Sequence, residues 1–137
     1  MRPARRILLY AFGPVERGAL AHLLRVRGYR VAEAHTPEDV QAIAADPSEQ
    51  ISGVLIRQWH PHDGSVDAAV ALGKSGLEVR LMFVGNLHRE MHTPHFFPSI
   101  WLRAETSNAE ILESLRILVQ RKRGPKRKTT PSQEKIA

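Results

Sequence analysis

Short apolar runs alternate along this chain with stretches of helical period, and that alternation restricts the fold more than any single residue does. The run Ile-Leu-Leu-Tyr-Ala-Phe at residues 7–12 is continuously apolar, as a strand covered on both faces requires. Gly13 and Pro14 close it. From Val15 the spacing turns helical, with Ala19, Leu20, Leu23 and Leu24 on one face and Gly28 as a stop. Residues 29–34 predict a second strand. Thr36 then caps a helix that has Pro37 in its first position and Glu38 and Asp39 in its first turn, and Pro47 ends it. A third strand follows over residues 51–56, a loop over 59–65, and a helix over 66–72 with Gly73 and Gly76 as stops. Strands are predicted again over 77–84 and 100–102. The segment between them is rich in histidine, carries Pro94 and Pro98, and supports one helical turn over 87–91 at most. Ser107-Asn-Ala-Glu110 is a capping box for a last helix with Ile111, Leu115, Leu118 and Val119 on its apolar stripe.

Strand and helix in alternation, with short connections and right-handed crossovers, predict an α/β fold: a parallel sheet covered on both faces. The apolar fraction of 42% and charged fraction of 25% are those of an ordinary globular domain. The chain has no cysteine, which excludes disulfides and thiolate metal sites and suits a cytoplasmic location. No stretch approaches the roughly 18 apolar residues of a membrane span. The net charge of +6 is unevenly placed. Residues 1–120 balance bases against acids, whereas residues 121–137 hold seven bases and one acid. The expected organisation is a folded domain over 1–120 and a basic, disordered tail over 121–137.

The first strand, turn and helix, with Pro14, Arg17, Leu20, Leu24 and the Gly28-Tyr29 ending, resemble the receiver domains of bacterial response regulators. Val54-Leu-Ile-Arg57 with His60-Pro61 and Asp63-Gly64 resembles that family's third strand and its proline-containing loop. The resemblance covers about residues 5–120 and implies a flavodoxin-like, five-stranded sheet in the order 2-1-3-4-5. It also implies a site at the carboxyl ends of the strands, and here the chain departs from the family. The two acids that hold magnesium fall on Ala11 and Phe12. The phospho-accepting aspartate falls on Arg57, the following Ser or Thr on Val84, the lysine on Arg103 and the proline after it on Ala104. Magnesium needs oxygen ligands and an acyl phosphate needs a carboxylate nucleophile. The expectation is therefore a non-enzymatic pseudo-receiver without cofactor. It would act through protein contact, as monomer or homodimer, in two-component signalling, a phosphorelay or transcriptional regulation.

Other constellations carry weaker expectations. Arg57 and Arg103 at one sheet edge could hold an anion between two guanidinium groups, or could instead point to solvent or pair with Asp63, Asp67 or Glu105. His60, His62 and Asp63, with His88, His92 and His95, invite a metal, but their spacing matches no ligand motif and no metal site is predicted. Ser65, His62 and Asp63 stand too close in sequence to orient one another as a triad, and no glycine-rich phosphate loop is present. The run Arg121, Lys122, Arg123, Lys126, Arg127 and Lys128 suits a nucleic-acid backbone or an acidic partner. In the family, the face around the fifth strand commonly docks partners. Phe96, Phe97 and Trp101 are candidates for that role here, with burial against the sheet as the alternative.

Overall fold

The computed structural model describes residues 4–86 and 99–120. Five strands, β1 (Arg6–Ala11), β2 (Arg30–Ala34), β3 (Ile51–Arg57), β4 (Arg80–Val84) and β5 (Ile100–Leu102), pair in parallel in the order 2-1-3-4-5. Four helices connect or follow them: α1 (Pro14–Val26), α2 (Pro37–Ala45), α3 (Ser65–Ser75) and α4 (Asn108–Gln120). The expected fold class and strand order are both present.

Period-two alternation divides the core into two layers. Leu8 and Tyr10 of β1, Val54 and Ile56 of β3, and Leu81 and Phe83 of β4 pack with α2 and α3. Ile7 and Leu9, Leu55, and Met82 and Val84 point the other way, onto Leu20 and Leu24 of α1 and Ile111 and Leu115 of α4. Continuous apolar stretches in the middle of β1, β3 and β4 are the consequence of covering both faces. Each fully buried Leu or Ile contributes about 2 kcal/mol.

Several boundaries differ from the sequence expectation, each for a local reason. β1 stops at Ala11 because its ladder with β3 ends at the pair Ala11–Arg57, so Phe12 has no ladder partner and is exposed. β3 extends to Arg57, and β4 begins only at Arg80, which is where β3 first offers a partner, Gly53. Gly73 does not stop α3. A glycine inside a helix costs only about 1 kcal/mol, and the stop is Gly76, at φ 81°. Pro47 opens a short 3-10 turn, Pro47–Glu49, whose first amides are capped by the Asp46 side chain through Ser48. The Thr36 cap on the Asp39 amide and the Ser107–Glu110 capping box form as expected. The turn expected over 87–91 lies outside the described residues.

Gly64 fixes the loop that leads into α3. Its φ is 86°, and a Cβ there would lie 2.5 Å from the Tyr10 hydroxyl oxygen. Gly64→Ala is expected to destabilise the domain by about 2 kcal/mol, the sum of a left-handed backbone penalty and a displaced hydrogen bond. A urea unfolding midpoint measures it.

Candidate functional site

The carboxyl ends of β1, β3, β4 and β5 lie along one edge, and Ala11, Phe12, Arg57, Val84 and Arg103 are placed at or just after those ends. Ala11 and Val84 are fully buried and apolar. Phe12 projects into solvent at 57% exposure. Arg57 is only 6% exposed. Its Nη1 donates to Asn108 Oδ1 at 3.0 Å and its Nη2 to the Thr106 carbonyl at 3.3 Å, with the Ala104 carbonyl at 3.5 Å. The Trp59 ring lies over the same guanidinium, 4.3 Å from centroid to Cζ. Arg57 thus ties the end of β3 to the β5–α4 connection and to the first residue of α4. None of its partners is a carboxylate: Asp63, Asp67 and Glu105 form no ion pair with it. Burial alone pulls the Arg57 pKa below its ordinary value, which still leaves the group charged at neutral pH.

The β3–α3 loop is folded around Asp63, which is 4% exposed. Its Oδ2 accepts from the Trp59 and His60 amides at 2.7 and 3.1 Å. Its Oδ1 accepts from the Ser65 amide at 3.1 Å and the Ser65 hydroxyl at 2.6 Å. The Asp63 carbonyl accepts from Tyr10 Oη at 2.8 Å. Four donors on one carboxylate offset its removal from water and hold Trp59 in place over Arg57. Next to it, Gln58 Oε1 accepts from the Asn86 amide at 2.9 Å. A Cβ on Gly85 would lie 2.6 Å from Gln58 Cβ, so the β4 end must be glycine for Gln58 to pack there.

On the β1 side a second buried guanidinium organises the edge. Arg17, 5% exposed, donates to the Ala11 carbonyl at 2.8 Å and bonds His35 Nδ1 at 3.0 Å, with Glu33 at 3.6 Å from its Nε. The first strand therefore ends against a protein cation. Arg103 is exposed, and its side chain makes no hydrogen bond or ion pair with a described residue. Both Arg57 Nη atoms already bond Asn108 and Thr106, and its Nε has no partner among the described residues.

The chemistry of this edge follows from its donors. Ala11, Phe12 and Arg57 give magnesium no oxygen side chain, so the residues present do not fit that ion. No group of three or more His, Cys, Asp or Glu among the described residues could hold a metal. His88, His92 and His95 lie outside the described residues, as do Phe96, Phe97 and the run from Arg121 to Lys128. Trp101 packs edge-on against Phe83 at 5.5 Å and donates its Nε1 to the Gly85 carbonyl at 3.1 Å, so much of its ring is covered by the sheet. The edge also exposes apolar groups: Phe12 and, at 42%, Trp59 flank a shallow cavity of about 140 Å³ with Gly13, Glu16 and His60, and Val15 is exposed as well.

No family model matches the chain, and no curated protein matches it. Solved structures do. A CheY-like receiver domain from Methanospirillum hungatei superposes with a TM-score of 0.70 at 16% identity, over 85% of this chain and 94% of that one. The receiver domain of the hybrid histidine kinase CckA gives 0.63 at 21% identity, over 84% and 99%. The receiver domain of a Pseudomonas aeruginosa sensor histidine kinase, solved with magnesium in its active-site cleft, gives 0.65 at 16% identity, over 85% and 98%. The fold is that of receiver domains. No helix among the described residues is long and apolar enough to cross a membrane.

Two predictions follow from these contacts. Arg57→Asp would place a carboxylate against the Thr106 and Ala104 carbonyls and should destabilise the domain by about 3 kcal/mol, whereas Arg57→Met, which keeps the bulk, should cost about half as much; urea midpoints separate the two. Burial first, then the Asp63 and Asp67 carboxylates, hold the Tyr10 phenol above its ordinary pKa. The fold therefore favours the neutral phenol. That stabilisation is full below the unfolded value of about 10 and is lost as pH climbs through the folded value. The unfolding midpoint should fall above pH of about 10, and Tyr10→Phe should flatten that decline while costing about 1 kcal/mol at neutral pH.

Proposed function

We propose that this chain is a pseudo-receiver: a receiver-fold module of bacterial signalling or transcriptional control that acts by protein docking and is neither an enzyme nor switched by phosphorylation. The single observation that carries the reading is Arg57. It stands where the fold family keeps its phospho-acceptor, and its guanidinium is bonded into the β5–α4 connection. A cation already joins the end of β3 to the start of α4, so the edge holds one arrangement without an added phosphoryl group. The exposed apolar trio Phe12, Val15 and Trp59 on the same edge supports the docking half of the reading, since solvent-facing aromatics beside a shallow cavity suit a partner's apolar side chain.

The test is a pull-down from native lysate with and without acetyl phosphate and magnesium, accompanied by intact mass of the recovered protein. The expected result is an unchanged mass and the same protein partner under both conditions, lost in the exposed-residue variant Phe12→Ser/Val15→Ser. A stoichiometric phosphoryl adduct, or a partner that binds only with the phosphodonor, would contradict the reading.

A further inference from the structure

The opposite edge of the sheet has a different chemistry. β1, β2 and β4 each begin with an arginine, Arg6, Arg30 and Arg80, and because the strands are parallel all three fall on the amino-terminal edge. The α1 helix ends at the same edge, where Arg27 and Gly28, at φ 93°, turn the chain into β2. The last turns of α4 also reach it. Between these elements lies a cavity of about 240 Å³, lined by Arg5, Arg27, Tyr29, Arg116 and Gln120 over a floor that includes Leu112. Arg5, Arg27 and Arg116 line it together with the half-buried Tyr29, so three like charges border one small cavity.

Neighbouring acids answer only part of that charge. Arg116 pairs with Glu113, and Arg6 with Glu49. Arg5, Arg27 and Arg30 reach no carboxylate in an ion pair among the described residues. Residues 1–120 carry as many acids as bases, so the clustering is a polarisation of a neutral body and not the by-product of a basic one. Gln120, which lines the cavity, is followed in sequence by Arg121, Lys122 and Arg123. The densest run of positive charge in the chain therefore begins one peptide bond from the arginine cavity.

We propose that the amino-terminal edge is a nucleic-acid-binding surface, in which Arg5, Arg27 and Arg116 grip backbone phosphates. Guanidinium forks match phosphate oxygens in pairs, and a polymer of regularly spaced phosphates can engage several arginines of one rim together. A bilayer fits less well. Stable attachment to lipid needs an apolar signal beside the basic cluster, and the exposed Val26 and Ile117 are single residues. The inference does not depend on the reading of the carboxyl edge.

The experiment is a salt series of fluorescence anisotropy with the full-length chain and labelled random-sequence DNA, single-stranded and duplex. Arg5→Gln/Arg27→Gln is compared with the charge-matched Lys74→Gln/Arg103→Gln, and phosphatidylserine–phosphatidylcholine vesicles serve as the alternative polyanion. All four side chains lie outside the core, and circular dichroism melts verify that both variants fold. The rim pair should weaken binding about tenfold at low salt and lower the slope of log affinity against log salt by about 1 to 2, while the matched pair changes affinity less than about twofold. Equal losses in both pairs would overturn the proposal, as would binding to vesicles alone or no binding to DNA at the lowest salt.

Discussion

Taking the Arg57 guanidinium out of water costs several kcal/mol, and nothing of opposite charge stands beside it to offset that cost. What offsets it is a set of neutral groups that must all be in place together: the Asn108 side chain, the Thr106 and Ala104 carbonyls, and the face of Trp59. They come from two parts of the chain, the β3–α3 loop and the β5–α4 connection with the first residue of α4. Trp59 is held by the Asp63 carboxylate, and Asp63 in turn is held by Ser65 and, through its carbonyl, by Tyr10 in the middle of the sheet. Asn108 is the first residue of α4, whose position follows from the packing of Ile111 and Leu115 on the core. The buried cation therefore makes the arrangement of the β3–α3 loop, the β5–α4 connection and α4 a single cooperative choice.

The same strand ends also show why an acidic site is foreign to this chain. Arg17 occupies the β1 side with its guanidinium on the Ala11 carbonyl and Glu33 near its Nε. Two buried arginines thus stand at an edge that the fold family equips with carboxylates and a divalent cation. Phe12, left without a ladder partner, turns outward beside Trp59. The edge is an internally bonded framework with Phe12 and Trp59 exposed on its rim.

Much of the fold was legible in the sequence, because apolar runs of six or seven residues between capped helices admit few arrangements. Thr36 and the Ser107–Glu110 box announced two helix starts, and the strand order followed from the resemblance carried by Pro14, the Gly28-Tyr29 ending and Asp63-Gly64. Residue types at the carboxyl edge were legible too, since Ala11, Phe12 and Arg57 stand where acids would be. Their roles were not. An arginine in a pattern reads as a surface residue, and only the fold shows that Arg57 is buried and donates to carbonyls some fifty residues away. The part played by Arg17, Gln58 and Asn108 depends on which strand ends meet, and strand ends are where local pattern says least. The amino-edge arginines were invisible for the same reason: Arg5, Arg27 and Arg116 are far apart in sequence and meet only because parallel strands share a starting edge.

The central claim is that the Arg57 network holds the carboxyl edge in one conformation without a phosphoryl group. Nitrogen-15 relaxation dispersion on the labelled full-length protein tests it most directly, because exchange between two arrangements of such an edge falls on the microsecond-to-millisecond scale. The account predicts flat dispersion profiles for the amides of residues 57–65 and 102–110 in the wild type, and dispersion in both segments once Arg57 is replaced by methionine. Dispersion in the wild type, with both segments fitting one shared rate, would mean that the edge already samples a second state and would contradict the account.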